Sequence, residues 1–260
     1  MTTNPKETAM EPNERLMAIY NRTVEALKEV VREFAITEDE LHIAGRYLNR
    51  LGQSGMCPSL LDVGLAMTSI AASGRQGPGT RLCLEGPYHA EHPVRADGEL
   101  LDRPHAPGGT LLTLTGVVTD AVTGAPIPGA RLDVWQADAD GLYDKAGDHL
   151  RGVVITDAQG RYILKTVVPS DYAEHDHDPI GELFRAMGKP NTRAAHIHVK
   201  IFVNSEELLT TQLFMPTSSF LDRDYVEGAV SEDLTLTLEP DAEGCKASFD
   251  FAVARVGVPA

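Results

Sequence analysis

Cysteine is scarce in this 260-residue chain, and Cys57, Cys83 and Cys245 are scattered and odd in number. That excludes a disulfide framework and the paired spacing of a zinc ribbon, and it suits free thiols in a reducing compartment. Positive charge is also short. Lys and Arg number 23 against 38 Asp and Glu, giving a formal charge of −15 and a pI near 4.9. Such a chain is repelled at long range by nucleic acid and by anionic lipid, although net charge does not define the chemistry of a pocket. No apolar run approaches the length of a membrane span, and "MTTNPKETAMEPNE" lacks the charged and then apolar pattern of a leader. The expectation is a cytoplasmic protein with no nucleic-acid partner and no membrane insertion. What is present is an ordinary globular composition, 42% hydrophobic, enough for one large domain or two small ones.

Two kinds of periodicity divide the chain. Leu16, Ile19, Tyr20, Val24, Leu27, Val30, Val31 and Phe34 recur at helical spacing. "TEDE" at Thr37 to Glu40 has the form of a capping box, followed by Leu41, Ala44, Tyr47, Leu48 and Leu51 up to Gly52. A third helix is expected from Ser59, with Asp62 three residues on, to Gly74. Composition shifts to Gly and Pro near residues 74–80, and short strands follow. They are expected at 110–119, 130–137, 151–156, 161–168, 196–203, 208–214, 233–238 and 246–254, with turns at "TGAP", "DAQG" and "DAEG". The fold class is mainly β: an antiparallel β-sandwich over 79–260, preceded by a small helical domain over 1–78.

Chemistry concentrates in "TRAAHIHVKIFV". In a strand Ile197, Val199, Ile201 and Val203 share one face, so His196 and His198 share the other and can converge on one metal ion. The bland alternative is a pair of polar residues on the wet face of a sheet. "YAEHDHDP" also gathers possible ligands, but reads as a charged, solvated loop rich in turn formers.

The segments "LEGPYH", "GAPIPGARLDVWQADADGLYD", "RGVVITDAQGRYILKTVVPSDY", "TRAAHIH" and "LTTQLF" resemble, in order and spacing, the intradiol ring-cleavage dioxygenases. The helical unit before "EGP" looks like the catechol and hydroxyquinol 1,2-dioxygenase branch. The resemblance implies one non-haem Fe(III) per subunit, held by Tyr143, Tyr172, His196 and His198. It implies catalytic roles for Tyr172 as displaced base, Arg193 beside the substrate ring and Gln212 near the metal. It also implies a substrate pocket walled by Leu84, Gly86, Pro87, Tyr88, Arg193, Tyr225 and Val226. Phenol has a pKa near ~10, and a highly charged cation favours its phenolate, which in turn stabilises the ferric state. Substrates would be a small aromatic diol and O2, giving a cis,cis-muconate type diacid. A homodimer joined through the helical units, with a lipid-like molecule between them, is a further implication. The family usually has proline at the position of Ala194, and the substitution is expected to loosen the backbone before His196. Tyr162 alternates with Leu164 and Thr166 and reads as a sheet residue, as does Trp135.

Other classes remain open at this point. "TGVVTDAVTGAPIPGARLDVWQ" with "TDAQGRYIL" also resembles transthyretin-like binding modules, and fold alone does not separate these from an enzyme. A zinc hydrolase built on the two histidines lacks a third ligand at a recognised spacing. "DGLYD" looks closer to hydroxyquinol and chlorocatechol enzymes than to plain catechol enzymes, so the ring substituents stay undecided.

Overall fold

Residues 13–104 and 108–254 are described in the computed structural model, and residues 1–12, which carry most of the leader expectation, lie outside it. Packing divides the chain into two compact units that meet at Gln53 and Ser54. The first holds α1 (Glu14–Glu33) and α2 (Glu38–Gln53). Asn13 caps α1 by accepting from the Leu16 N–H. The capping box before α2 is formed in both directions: the Thr37 N–H donates to Glu40, and the Glu40 N–H to the Thr37 hydroxyl. No residue of α1 is buried, and Leu16, Ile19, Tyr20 and Leu27 of its apolar stripe are exposed.

The second unit begins with α3 (Cys57–Ala72), so the change in composition and the division by packing fall at different places. The helix starts two residues before Ser59, without a side-chain cap. Pro58, whose fixed φ suits a first turn, opens it in place of the Ser59–Asp62 box. Two sheets follow. One is antiparallel throughout, in the order β3 (Arg151–Ile155), β2 (Arg131–Gln136), β7 (His196–Val203), β8 (Glu206–Phe214). In the other, β1 (Leu111–Asp120) pairs antiparallel with β4 (Arg161–Val167) on one edge. Its other edge pairs parallel with β10 (Gly244–Ser248) and then β11 (Phe251–Val253). β9 (Glu239–Asp241) completes a hairpin with β10. The core between the sheets includes Leu112, Leu114, Leu132, Val134, Leu164, Val199, Ile201 and Phe251, all essentially inaccessible.

Three local expectations change. The strand expected at 233–238 is a 3₁₀ turn at Glu232–Leu234 followed by extended chain, because the Leu234 and Thr235 N–H groups bond back to Ser231 and Glu232. A short pair, β5 (Tyr172–Ala173) and β6 (Thr192–Arg193), was not legible from periodicity, being only two residues each. The "YAEHDHDP" stretch is not simply a solvated loop. His175 is buried at 3% exposure, and Asp178 caps α4 (Pro179–Ala186) by accepting from the Ile180 and Gly181 N–H groups. The signal for α4 was present in Asp178–Pro179 with Glu182 in the first turn.

Candidate metal centre and its surroundings

Strand pairing builds the site. The register sets Trp135, His198 and Gln212 directly opposite one another across β2, β7 and β8. Tyr172 faces Arg193 across β5 and β6. His196 and His198 are each 1% exposed, so the wet-face alternative for the His-x-His pair is excluded: β7 is buried on both faces from His196 to Ile201. The two Nε2 atoms lie 2.9 Å apart. His196 Nδ1 lies 2.6 Å from the Ala194 carbonyl, which can only accept, so this nitrogen carries the proton and Nε2 presents its lone pair. Burial pushes both imidazoles well below their usual pKa, leaving them neutral. Trp135 stacks on His198 with ring centres 4.6 Å apart and planes 5° from parallel.

Two phenols complete the cluster. Tyr172 packs 5.7 Å from the His196 ring, and Tyr143 stands edge-on to Tyr172 at 5.3 Å. Tyr143 comes from the loop after β2, which Asp138 folds by accepting from the Asp140 and Leu142 N–H groups at 2.9 Å. Tyr88 stacks on its ring at 4.3 Å, and the Arg151 guanidinium lies 5.8 Å from it. The Tyr143 hydroxyl and His198 Nδ1 are buried without a hydrogen-bond partner. An orphan hydroxyl costs about 1–3 kcal/mol, so an atom missing from the protein alone is the economical explanation at Tyr143. Burial raises both phenols above their ordinary pKa, and each would be neutral without a nearby cation. Two imidazole nitrogens and two phenol oxygens are a donor set that fits a hard trivalent ion.

Asp224 was not singled out by sequence reasoning, and Asp171 was read only as part of a charged, solvated loop, yet both organise the cluster. Arg193 Nε donates to the Asp224 carboxylate at 2.9 and 3.1 Å, and its Nη2 donates to Gln212 Oε1 at 2.7 Å. The Gln212 amide in turn donates to the Leu84 carbonyl at 2.9 Å. Burial opposes the Arg193 charge, but Asp224, together with the acidic groups of Tyr172, Cys83 and Tyr225, outweighs it and keeps the guanidinium protonated. Asp224 also accepts from the Ala194 N–H at 2.8 Å. The backbone ahead of His196 is therefore anchored, not loosened, because alanine has the donor that proline lacks. Asp171 accepts from the Ala195 N–H, the Ser218 hydroxyl and the Ser219 N–H, tying the segment before Tyr172 to the one before His196.

The remaining expected residues divide. Leu84 is buried, and a Cβ on Gly86 would stand 3.3 Å from His198 Cε1, at a backbone φ of +73°. Pro87 is exposed. Tyr225 and Val226 are buried and line a groove of about 680 Å³ between α3, α4 and residues 221–230. None of Tyr143, Tyr172, His196 or His198 is among the residues lining that groove. Tyr162 lies in β4, with its hydroxyl donating to the Phe249 carbonyl at 2.7 Å. A second ligand-like group lies behind Trp135: His89 and His92 each meet a different oxygen of Asp133. His92 Nε2 lies 3.3 Å from the Arg151 guanidinium, which can only donate. Hydrogen bonds thus account for this group without an ion, although its donor atoms lie within 4.8 Å of one another.

Comparison with known proteins agrees along the chain. The family described as "Dioxygenase" matches residues 84–254, and "Catechol dioxygenase N terminus" matches 13–68. Chlorocatechol 1,2-dioxygenase of Pseudomonas sp. strain P51 is 31% identical over 94% of this chain and 98% of its own length. The 6-chlorohydroxyquinol 1,2-dioxygenase of Cupriavidus pinatubonensis is 36% identical over 84% of this chain and 82% of its own. The crystal structure of 3-chlorocatechol 1,2-dioxygenase from Rhodococcus opacus 1CP superposes with a TM-score of 0.85 at 28% identity, covering 94% of this chain and all of that one. A match of both halves in order, with a shared architecture of helices followed by β-sheets, places this chain in the intradiol dioxygenase family, in the branch of the catechol, chlorocatechol and hydroxyquinol 1,2-dioxygenases.

Proposed function

We propose that this protein is a non-haem iron(III) dioxygenase that opens the ring of catechol or a substituted catechol between its two hydroxylated carbons, giving a cis,cis-muconate type diacid. The observation that carries the reading is the convergence of His196 Nε2 and His198 Nε2, 2.9 Å apart, beside an orphaned Tyr143 hydroxyl and the Tyr172 ring. Tyr143, Tyr172, His196 and His198 would hold the iron. When bound, iron(III) would supply Lewis acidity that favours the phenolates and a deprotonated diol, and would give the diol ring the unpaired-electron character that lets triplet O2 react with it.

The chain's own residues do the rest. Tyr172 Oη, held as the phenolate when the metal is bound, would take up one of the two protons of the incoming diol. Arg193, buried and directed by Asp224 and Gln212, sets a fixed positive charge where negative charge develops on the ring. Gly86 lets the chain approach His198, and Tyr88 walls the cleft by stacking on Tyr143. The 36% identical relative named for 6-chlorohydroxyquinol favours a second reading, in which a trihydroxylated ring is opened to maleylacetate. A homodimer through the helical unit, possessing a lipid-like molecule in the interface, is supported by the exposed stripe of α1. No single helix among the described residues is long and apolar enough to cross a membrane, and a cytoplasmic location forms part of the proposal.

The test is oxygen uptake by iron-loaded protein with a panel of diols, with the product identified as a ring-opened diacid. Two phenolate donors should also colour the protein red to burgundy. A colourless protein at full iron occupancy, or a product cleaved outside the diol, would overturn the assignment.

A further inference from the structure

Residues two apart in an extended chain share a face. Tyr172 and Glu174 stand in that relation, and the β5–β6 pairing continues through the Glu174 N–H to the Asn191 carbonyl at 3.4 Å. The Glu174 carboxylate therefore rises on the side of the Tyr172 ring. There the Tyr225 hydroxyl donates to its Oε2 at 2.7 Å. Burial, and after it the Glu174 charge, push the Tyr88 phenol up to about 12, and Tyr88 stacks on Tyr143. Glu174 thus bonds one of the two tyrosines proposed as pocket walls and acts electrostatically on the other, which stacks on Tyr143.

Its charge is not locally neutralised. Among the described residues no cation forms an ion pair with Glu174. Arg193 is committed to Asp224, and the Lys145 ammonium lies over the Tyr88 ring at 4.8 Å. Asp62 on α3 adds a second carboxyl, pushed up by partial burial and by the Glu174 charge. A carboxylate offers about four acceptor sites, and the one phenol donor from Tyr225 leaves most of them free. Half-buried, Glu174 stays reachable by a ligand. Such a wall attracts hydrogen-bond donors, is indifferent to chlorine and repels anions.

Resting on the ring-cleavage reading above, we propose that Glu174 is a specificity-determining residue: it accepts a hydrogen bond from a donor substituent, hydroxyl or ammonium, on an ortho-diol ring, and it rejects a ring carrying a carboxylate. Iron-loaded protein is assayed by oxygen uptake for kcat/KM, and anaerobically for Kd. The probes are catechol, 4-chlorocatechol, benzene-1,2,4-triol, 4-(aminomethyl)catechol and 3,4-dihydroxybenzoate. The wild type should prefer at least one donor ring to 4-chlorocatechol and should discriminate against the carboxylated ring. E174V should reduce the donor-to-chloro ratio at least tenfold, whatever happens to absolute rates. E174Q, which keeps shape and one acceptor oxygen, controls for misfolding: it should retain part of a hydroxyl preference and lose an ammonium preference, so the two arms identify the donor. A wild type that favours the chloro ring over both donor rings overturns the inference, as does an E174V ratio within threefold of wild type in both arms. If no diol supports oxygen uptake, the ring-cleavage reading fails, and the anaerobic Kd ratios still decide the role of Glu174.

Discussion

Asp224→Ala is the substitution whose consequences can be worked furthest. The Asp224 side chain is 3% exposed and its Arg193 partner 2%, so the pair is buried and solvent does not screen it. Asp224 accepts the guanidinium Nε together with the Ala194 and Val226 N–H groups. Removing the carboxylate leaves a buried cation uncompensated, at a cost of about 3–5 kcal/mol. Each orphaned N–H adds roughly 1–3 kcal/mol where water cannot reach it, and the terms are not additive. At about 2–4 °C per kcal/mol for a domain of this size, the melting temperature should fall by roughly 10 °C or more. Calorimetry on the iron-loaded protein reads that loss. Function should suffer separately, because Arg193 also donates to Gln212 and its direction depends on both contacts. In the folded fraction, kcat should fall more than KM rises, as expected for a charge used chiefly in the transition state. A D224A protein that melts within about 2 °C of wild type with unchanged kcat would refute the claim that Asp224 neutralises and aims Arg193.

Other expectations follow from the same geometry. Tyr143→Phe should lower bound iron, measured by metal analysis after dialysis, because it removes the orphaned hydroxyl; full iron retention would remove Tyr143 from the ligand set. Gly86→Ala forces a side chain into left-handed backbone 3.3 Å from His198, and activity should fall more than global stability. Ala194→Pro deletes the donor to Asp224 and should destabilise by about 1–2 kcal/mol in urea titration, a charge-assisted bond lost against a smaller entropic gain. Burial pushes the Glu207 carboxyl up, but the Thr210 hydroxyl and Lys200 ammonium more than offset this and hold it below 4.5. A carboxyl lowered in the fold stabilises above its unfolded pKa, and that contribution is lost as pH falls through the folded value. The stability gap between wild type and E207Q should therefore be present at neutral pH and shrink below about pH 4.5.

The alternation of Ile197, Val199 and Ile201 was sufficient to put His196 and His198 on one face, because the two-residue period of a strand is a local property. The Thr37–Glu40 box likewise foretold the start of α2, since a cap is decided within four residues. Sequence alone could not show that both faces of β7 are buried, which depends on a second layer of protein over the histidines. Nor could it show that Asp224 meets Arg193 from 31 residues away, or that Glu174 belongs beside Tyr225 instead of in a solvated loop. Short pairings such as β5 with β6 carry no periodicity to read, yet that pairing aligns Tyr172 with Arg193. Local pattern determined which side chains point together; only the tertiary structure decided which distant charges and hydroxyls meet them, because loop closure and sheet register are set by the packing of the whole domain.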